Sequence, residues 1–413
     1  MPIQSAHERY DLIVVGGGLT GLALAVAVGG AGFRVLVIER APLRELLAAP
    51  YDGRVTAIAR ASRAFLQQIG AWAGMAAAAA PIRDIVVREG FSPIQVHYDH
   101  REVGTEPLGH IVENRTIRTA LLERAQELPQ ITLAAPAEVA AIELRPTRAE
   151  IRVSDGRTVV APLVALCEGR QSSTRRQVGI ATRTWAYGQT GIVCTVGHAR
   201  PHDGLAVERF FPDGPFARLP MTGNRSSIVW ALDADLAKTV LALDDSGFLG
   251  EIADRFGDDL GDLVLEGPRW SYPLALVMAE RYTTTRLALV GDAARGIHPI
   301  AGQGWNLALR DVAALSEIVG DRLRLGLDPG DAGALERYAG WRRFDSMALV
   351  AVTDGINRLF GNEILPLRLA REAGLALVDR VPPVKRFFMR HAMGTVGDLP
   401  RLMRAPRTGT ARG

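Results

Sequence analysis

The chain has 413 residues, 48% of them hydrophobic, and a formal net charge of +3 at pH 7. This length exceeds that of a usual single domain, so we expect two domains or one domain with a large insertion. Lysine and arginine are spread along the chain without a basic block or interleaved aromatic residues, which argues against nucleic-acid binding.

The two cysteines, Cys167 and Cys194, each lie in an apolar run. They form no CxxC motif and no histidine cluster accompanies them, so we predict no metal site. Reduced structural cysteines in a cytoplasmic protein are the simplest interpretation, and a disulfide between them is the alternative.

Residues 12–33 contain no charged side chain and are long enough to span a bilayer. Seven of them are glycine, Asp11 precedes them, and Glu39 and Arg40 follow shortly afterwards. A signal peptide would need a basic leading region. A buried strand, a glycine turn and a buried helix therefore explain this segment better than a membrane span.

Gly16, Gly18 and Gly21 form a GxGxxG pattern between a predicted strand, Leu12–Val15, and a predicted helix, Leu19–Val28. The first glycine permits a tight turn, the second lets a pyrophosphate approach the backbone, and the third lets helix and strand pack closely. Free N–H groups at the helix start can bind phosphate oxygens. A structural glycine turn is the alternative, but the flanking strand and helix favour a dinucleotide site.

A second strand is predicted for Arg34–Ile38, and Glu39 follows it directly. A carboxylate at this position accepts hydrogen bonds from a ribose diol and repels a 2′-phosphate, which favours FAD or NAD over NADP. We expect Leu19, Thr20 and Arg40 to contribute to the same dinucleotide site.

The middle of the chain is predicted to be rich in strands, with a loop and amphipathic helix in 51–72 and another helix in 111–128. A hairpin is predicted around Asp155–Gly156, followed by a buried strand, Leu163–Cys167. Strands joined by tight turns fill 187–233. From residue 306 the pattern is mostly helical, and the last residues, 405–413, are expected to be disordered.

A second glycine-rich motif, residues 291–311, repeats the arrangement of the N-terminal one. A predicted buried strand, 286–290, precedes it, and a helical pattern follows. Asp292 is placed where a carboxylate can reach ribityl or ribose hydroxyls, and Gly302 and Gly304 precede a helix start that can bind a carbonyl or phosphate oxygen. A surface turn with a helix cap is the alternative, which the pairing with GxGxxG disfavours.

Four spaced blocks of the sequence resemble the FAD-dependent hydroxylases of ubiquinone biosynthesis (the UbiH/UbiF/UbiL type), within the single-component aromatic flavin monooxygenases. The blocks are the GxGxxG with Glu39, "YDGRVTAIA", "CEGRQSSTR" and "GDAARGIHPIAGQGWNLALRD". The resemblance covers essentially the whole chain, and the fourth block is the most specific of the four.

The resemblance implies an α/β (mixed α+β) fold: a Rossmann-like FAD-binding domain, an inserted β-sheet substrate domain and a C-terminal helical segment. The implied boundaries are 1–80, 101–180 and 281–340 for the FAD-binding domain, 81–100 and 181–280 for the substrate domain, 341–404 for the C-terminal helices and 405–413 for the tail.

The resemblance also implies a monooxygenase that uses FAD and O2, with NAD(P)H or another reductase as electron donor. It would hydroxylate the ring of a polyprenylated phenol through a flavin C4a-hydroperoxide. No Ser-His-Asp, Cys-His or metal constellation competes with this chemistry. The alternatives are a flavoprotein hydroxylase or reductase of another aromatic or prenyl substrate, and a non-catalytic FAD-bound scaffold of a biosynthetic complex.

Further site residues are assigned by the same resemblance. His298, Pro299 and Gln303 are expected to position the reacting groups against the flavin ring, and acid–base catalysis by His298 is the alternative. Asn114 is expected near the ribityl chain, with capping of the following helix as the alternative. The remaining cofactor-binding residues implied by the resemblance are Arg54, Arg118, Gly291, Asp292, Gly302, Gly304, Trp305 and Asn306.

Three residues depart from the family pattern. Glu168 replaces an aspartate, which changes the reach of a carboxylate on the side where the reductant would contact the protein. Arg295 replaces a histidine, and we expect it to pair with Asp292. Ala308 replaces a frequent glycine.

The expected partners are a lipophilic prenylated phenol as substrate and, as an alternative interaction, other ubiquinone-biosynthesis proteins. The sequence leaves the oligomeric state open. Residues 382–394, "PPVKRFFMRHAMG", are predicted to form a packed terminal helix, with a membrane-surface or partner-docking helix as the alternative. We expect a cytoplasmic protein, with peripheral attachment to the inner membrane as the variant that this helix would support.

Overall fold

The structure, a computed structural model, describes residues 8–47, 51–297, 302–360 and 365–404. The expected α/β class is confirmed. Its strands, numbered in chain order, are β1 (Glu8–Arg9), β2 (Leu12–Val15), β3 (Val35–Ile38), β4 (Val55–Ala59), β5 (Ala80–Ile82), β6 (Asp84–Glu89), β7 (Gln95–Asp99), β8 (Gly109–Glu113), β9 (Ile131–Ala134), β10 (Val139–Leu144), β11 (Ala149–Val153), β12 (Thr158–Ala161), β13 (Val164–Leu166), β14 (Thr182–His198), β15 (Leu205–Phe211), β16 (Gly214–Met221), β17 (Arg225–Asp233), β18 (Leu263–Ala279), β19 (Thr283–Thr284), β20 (Leu287–Leu289) and β21 (Arg295–Gly296).

The helices connect these strands and form the C-terminal part of the described chain. They are α1 (Leu19–Gly29), α2 (Leu43–Leu47), α3 (Arg60–Gln68), α4 (Asn114–Gln126), α5 (Ser173–Gln177), α6 (Ala234–Leu241), α7 (Asp245–Phe256), α8 (Gly304–Arg324), α9 (Ala332–Phe360), α10 (Leu365–Arg380) and α11 (Pro382–Ala392).

A six-stranded sheet in the order β19-β20-β13-β2-β3-β9 forms the centre of the nucleotide-binding part. Its strands β20, β13, β2, β3 and β9 are parallel to their neighbours, whereas β19 is antiparallel. The central strands are short continuous apolar runs because both faces of the sheet are covered. One face packs against α1, α4 and α8, and the other against a second sheet, β1-β12-β11-β10.

Helix α1 is apolar on all sides because it is buried between the sheet and its neighbours α4 and α8. The charge-free segment 12–33 therefore contains β2, a glycine turn and α1, and the membrane-span alternative is wrong. Among the described residues, no helix combines the length and the apolar character needed to cross a bilayer. Cys167 and Cys194 are both buried without a disulfide, so the alternative of a bond between them is also wrong.

An eight-stranded sheet in the order β21-β18-β14-β17-β16-β15-β6-β7 forms the other large layer. One of its faces is covered by α6 and α7, whose side chains Phe248, Ile252 and Phe256 pack with Phe216 and Trp230. The opposite face is turned towards the small sheet β4-β8-β5 and towards α11. This sheet therefore shares a boundary with the part of the chain that carries the glycine motifs.

Two strands lie where the sequence predicted a different structure. Val55–Ala59 forms β4, where we expected the loop before a helix, and Gly109–Glu113 forms β8 ahead of α4. The two pair with each other in an antiparallel ladder, so their strand character depends on a partner fifty or more positions away. Residue 340, an expected domain boundary, lies within the single helix α9, whereas 405–413 lies outside the described residues.

Candidate FAD site

The carboxyl ends of four neighbouring parallel strands bring the sequence motifs together. Strands β20, β13, β2 and β3 are followed by Gly291, Cys167, Gly16 and Glu39, respectively. Loops that follow parallel strands meet at one edge of the sheet, where ligands of such folds bind. The late glycine-rich motif and the N-terminal GxGxxG therefore face the same space.

The three glycines of GxGxxG have different surroundings. Gly16 has a φ of +102°, and a Cβ atom there would lie 2.8 Å from the Cys167 carbonyl group. A Cβ atom on Gly21 would lie 1.9 Å from the Gly16 carbonyl oxygen. A Cβ atom on Gly18 would have nothing within 4 Å. Gly16 and Gly21 are thus required by packing, whereas Gly18 leaves space open above the start of α1.

Among the described residues, no side chain caps the N-terminus of α1 or of α8. Gly18 and Gln303 occupy their cap positions, and neither helix has an acidic residue in its first turn. Ser172, Asp233 and Asp244 cap α5, α6 and α7 with side-chain oxygens, whereas α3, α4 and α11 also start without a side-chain cap. Uncapped helix starts keep N–H donors and positive dipole ends available to phosphate or carbonyl oxygens.

Glu39 is fixed at the end of β3 beside the glycine turn. One of its carboxylate oxygens accepts the Gly17 N–H at 2.6 Å and the other accepts the Ala41 N–H at 2.8 Å. A small apolar cleft lies next to it. The cleft is lined by Gly17, Leu22, Val37, Glu39, Leu43, Leu46, Leu122, Leu133 and Ala135. Backbone N–H groups on both sides thus fix the orientation of the Glu39 carboxylate.

Arg54 and Asn114 are linked through the start of β4. Arg54 pairs with Asp52, and Asn114 donates its backbone N–H to the Arg54 carbonyl oxygen at 3.0 Å. The Asn114 side-chain oxygen accepts the Thr56 hydroxyl at 2.7 Å. Glu113 occupies the cap position of α4, so the alternative that Asn114 caps this helix is wrong.

Arg118 lies one turn further along α4 and is partly buried, and Arg40 is exposed beyond β3. Neither arginine makes an ion pair with another described residue. These two guanidinium groups are therefore available to an anion.

Gly291 lies between α1 and α8. Its φ is +62°, and a Cβ atom there would lie 3.0 Å from the Thr20 side chain and 3.1 Å from Ala308. Asp292 follows it with a half-exposed carboxylate, 3.5 Å from the guanidinium of Arg170. The open edge of the sheet thus carries a carboxylate that only one cation contacts in the described residues.

The expected pairing of Arg295 with Asp292 is wrong. Arg295 is buried and donates to Asp311 at 2.9 Å, because β21 pairs with β18 and directs this side chain beneath the loop. Asp311 also accepts the Arg342 Nε–H at 2.6 Å and the Gly291 N–H at 3.0 Å. Burial opposes the Asp311 charge, but the two guanidinium groups outweigh it and hold the pKa of Asp311 below its usual range.

The start of α8 is tied to β4 by Asn306. Its side-chain oxygen accepts the Ala59 N–H at 3.0 Å, and its nitrogen donates to the Ala57 carbonyl oxygen at 2.8 Å. Gly302 has a φ of +59°, and a Cβ atom there would lie 3.2 Å from the Ala57 side chain. Backbone of the glycine-rich loop is thereby held against the β4 strand.

Three other predicted residues flank this point. The Gln303 side-chain nitrogen lies 3.5 Å from the Ala392 carbonyl oxygen. The Trp305 indole nitrogen is buried without a hydrogen-bond partner in the described part of the chain. His298 and Pro299 lie outside the described residues.

Glu168 uses its carboxylate at the start of α5. It accepts hydrogen bonds from the hydroxyls of Ser172, Ser173 and Thr174, the last at 3.0 Å. The longer side chain that replaces the family aspartate thus reinforces a helix start in this structure.

Sequence reasoning missed the contact between the loop 51–54 and the eight-stranded sheet. The Tyr51 hydroxyl lies 2.7 Å from the Thr195 hydroxyl, and a Cβ atom on Gly53 would lie 2.1 Å from the Trp270 ring. No local sequence signal marks these partners, because they belong to β14 and β18, far along the chain.

Comparison with known proteins identifies the class. The family described as FAD-binding domain matches residues 9–350, and the chain belongs to that family. The fold is similar to that of p-nitrophenol 4-monooxygenase PnpA from Pseudomonas putida, with a TM-score of 0.78, 18% identity, and coverage of 94% of this chain and 98% of that one.

Two relatives define the family more closely. The chain is 49% identical to ubiquinone hydroxylase UbiL of Rhodospirillum rubrum over 403 residues, 97% of this chain and 94% of that protein. It is 32% identical to 3-demethoxyubiquinol 3-hydroxylase of Escherichia coli, over 94% of this chain and 99% of that protein. The chain therefore belongs to the FAD-dependent hydroxylase family of ubiquinone biosynthesis.

The described residues fit FAD. Gly18 leaves open space at the start of α1, Glu39 presents a fixed carboxylate at the end of β3, and Asp292 and the start of α8 face the same edge of the sheet. When bound and reduced, FAD supplies the activation of O2 that no side chain of the protein provides.

Replacing Gly18 with alanine should weaken FAD binding by at least about tenfold, because the added Cβ would occupy the space proposed for the pyrophosphate. The apoprotein should stay as stable as the wild type, because this Cβ would contact no protein atom. The backbone φ of −73° accepts alanine without strain. FAD titration by fluorescence and thermal unfolding of the apoprotein measure the two effects. Gly21→Ala is the matched control, because its Cβ would overlap Gly16 and should lower the unfolding temperature. Unchanged FAD affinity in Gly18→Ala would contradict the assignment.

Asp311→Asn should destabilise the apoprotein by about 3 kcal/mol or more, because it leaves Arg295 and Arg342 buried without their shared carboxylate. Asp292→Asn should cost less than about 1 kcal/mol, since its ion pair is half exposed, and should instead weaken FAD binding. Urea unfolding of both apoproteins, followed by FAD titration, separates these roles. Equal unfolding free energies for the two variants would show that Asp311 is not a structural anchor.

Proposed function

We propose that this protein is an FAD-dependent monooxygenase that hydroxylates the aromatic ring of a polyprenylated phenol in ubiquinone biosynthesis. The observation that carries the proposal is the meeting of both glycine-rich motifs at one sheet edge, beside the apolar face of the eight-stranded sheet. The names of the relatives in Rhodospirillum rubrum and Escherichia coli support the substrate class. NAD(P)H or another reductase would supply the electrons.

The proposed cofactor-binding residues divide by the part of FAD that they would meet. The N–H groups around the start of α1 would bind the pyrophosphate, Glu39 and Arg40 the adenosine side, and the remaining residues the ribityl chain and flavin ring. The full proposed set is Gly16, Gly18, Leu19, Thr20, Gly21, Glu39, Arg40, Arg54, Asn114, Arg118, Gly291, Asp292, Gly302, Gly304, Trp305 and Asn306.

The protein itself would orient the ring and exclude water. His298, Pro299 and Gln303 are proposed to hold backbone and side-chain groups against the flavin ring, while the apolar sheet face holds the phenol within reach. We also propose the domain division stated above, because it assigns the glycine motifs to one domain and the eight-stranded sheet largely to the other.

The direct test is turnover of a defined substrate. Purified protein loaded with FAD should consume O2 when given ortho-farnesylphenol and NADH or chemically reduced flavin, and the product should gain one oxygen atom from isotope-labelled O2 by mass spectrometry. Gly18→Ala serves as the control with impaired FAD binding. O2 uptake that yields only H2O2 across a panel of prenylated phenols would overturn the substrate class, and tight FAD binding without any uptake would favour a scaffold.

Helix α11 supports peripheral attachment at a membrane. Lys385 and Met389 are buried, so Phe387, which lies between them in sequence, points to the opposite side and is 55% exposed. Phe388 is 44% exposed, and the exposed Arg386 and Arg390 make no ion pair with a described residue. The helix contains no acidic residue. Aromatic side chains flanked by unpaired cations suit an anionic lipid surface.

Replacing Phe387 and Phe388 together with serine should lower binding to anionic vesicles by about tenfold or more. Co-sedimentation with vesicles of phosphatidylcholine and phosphatidylglycerol measures the bound fraction, and vesicles of pure phosphatidylcholine serve as the uncharged comparison. Leu325→Ser, at a 72% exposed leucine beyond α8, is the matched control and should bind as the wild type does. Wild-type protein that stays in the supernatant with anionic vesicles would refute the attachment.

A further inference from the structure

Glu208 lies in the middle of an otherwise apolar row that crosses the eight-stranded sheet. On β15 it stands opposite Ala217 of β16 on one side and Val87 of β6 on the other. From Ala217 the row continues through the paired residues Val229, Val193 and Trp270. Paired residues on neighbouring strands share a face, so the Glu208 carboxyl belongs to the same face as the Trp270 ring.

This face is the one turned towards the nucleotide-binding part. Ala206, two residues before Glu208 and therefore on its side of the strand, packs with Met221, Ile111 and Met389. At the far end of the row, Trp270 lies against Gly53. Arg209, on the opposite face, instead donates to the Arg255 carbonyl oxygen in α7. Glu208 thus points into the region between the sheet and the elements that carry the FAD site.

Glu208 has no hydrogen-bond or ion-pair partner among the described residues, although it is partly buried. Burial among apolar neighbours raises the pKa of Glu208 to about 7. The charged groups that approach this side from the surrounding elements form ion pairs with one another. Glu89 of β6 pairs with Arg371 of α10. Arg225 of β17 pairs with Glu113 of β8 and Glu266 of β18, and Lys385 of α11 pairs with Asp379 of α10 and with Glu102. Tyr98 of β7 is the remaining titratable group on this face of β6 and β7, and burial raises its pKa to about 12, so it stays neutral.

A carboxyl group left unpaired in a partly buried apolar region lowers stability unless a ligand uses it. The substrate class proposed above carries one hydroxyl on an apolar ring. We propose that Glu208 is a catalytic residue that accepts the hydrogen bond, and then the proton, of the substrate's phenolic hydroxyl. This inference rests on the proposed function.

One proton moves between the phenolic hydroxyl of the substrate and the Glu208 carboxylate. The phenolic O–H bond breaks and an O–H bond forms on the Glu208 carboxylate, while the electron pair stays on the phenolic oxygen. The added electron density on the ring carbons ortho and para to that oxygen favours attack on an electrophilic oxygen. The hydroxylated ring regains aromaticity when the C–H bond at the hydroxylated carbon breaks and its proton leaves to solvent. The proton held by Glu208 then returns to the original phenolic oxygen. A base with a pKa near the working pH is suited to this reversible role.

A binding measurement tests the contact without turnover. Oxidised, FAD-loaded protein is titrated with ortho-farnesylphenol and with its methyl ether between about pH 5.5 and 8.5. The ionised carboxylate only accepts hydrogen bonds, so the preference for the phenol over the ether should rise by about tenfold as Glu208 ionises near pH 7. Glu208→Gln cannot titrate, and its preference should be independent of pH. A wild-type preference that does not change with pH would overturn the proposal.

A kinetic measurement tests the role. Wild-type kcat should rise with pH through about 7, because the basic form of Glu208 is the active one. Glu208→Gln should lower kcat by about 100-fold and lose that rise, whereas Glu208→Asp should retain it at an intermediate rate. Glu143→Gln, at an exposed position on β10, is the control and should match the wild type. A Glu208→Gln variant with wild-type kcat and pH profile would refute the assignment.

The outcomes separate this inference from the proposed function. If the wild type neither binds nor hydroxylates prenylated phenols, the proposed function fails. If the wild type hydroxylates them and Glu208→Gln does so with the same pH profile, only the role of Glu208 fails.

Thermal unfolding of the apoproteins checks that the variants fold. Because the pKa of Glu208 is raised, its ionisation destabilises the fold as pH rises, so Glu208→Gln should unfold at a higher temperature than wild type at about pH 8 and at the same temperature below about pH 4.

Discussion

The buried carboxylate of Asp311 is the contact on which the site depends, because it joins α8 to three other parts of the chain at one point. It accepts from Arg295 in β21, from Arg342 in α9 and from the backbone of Gly291 at the sheet edge. A lone buried ion would be strongly unfavourable, but two guanidinium groups and an N–H donor satisfy this one. The interaction therefore fixes where the late glycine-rich loop leaves the sheet and how α8 starts.

This anchoring explains why a cofactor site can be completed so late in the chain. The eight-stranded sheet takes up most of the sequence between the two glycine motifs, so nothing local brings them together. Parallel pairing of β20 with β13, and of β13 with β2, sets their loops side by side. Asn306 then holds the start of α8 to β4. The strand order therefore brings the two glycine motifs close together, and the buried polar contacts hold them in place.

The sequence was informative where the signal is local. Strand β2 and helix α1 match their predicted bounds within one residue, since an apolar run, three glycines and an alanine-rich helix lie next to each other. It was uninformative where the partner is remote. The pairing of Arg295 with Asp311 depends on how β21 joins β18, and the contact of Gly53 with Trp270 joins the loop 51–54 to the eight-stranded sheet. Neither has a periodicity or spacing that reasoning from the sequence could use.

The polar groups of this protein fall into two sets, which differ in whether other described residues hold them by hydrogen bonds or ion pairs. Glu168, Asp311 and Glu113 are each held by hydrogen bonds or ion pairs within the chain. The uncapped starts of α1 and α8 and the carboxyl of Glu208 are not held in this way by described residues. Folding alone gains nothing from leaving such groups unmatched. The proposed cofactor and phenolic substrate would supply partners for these groups.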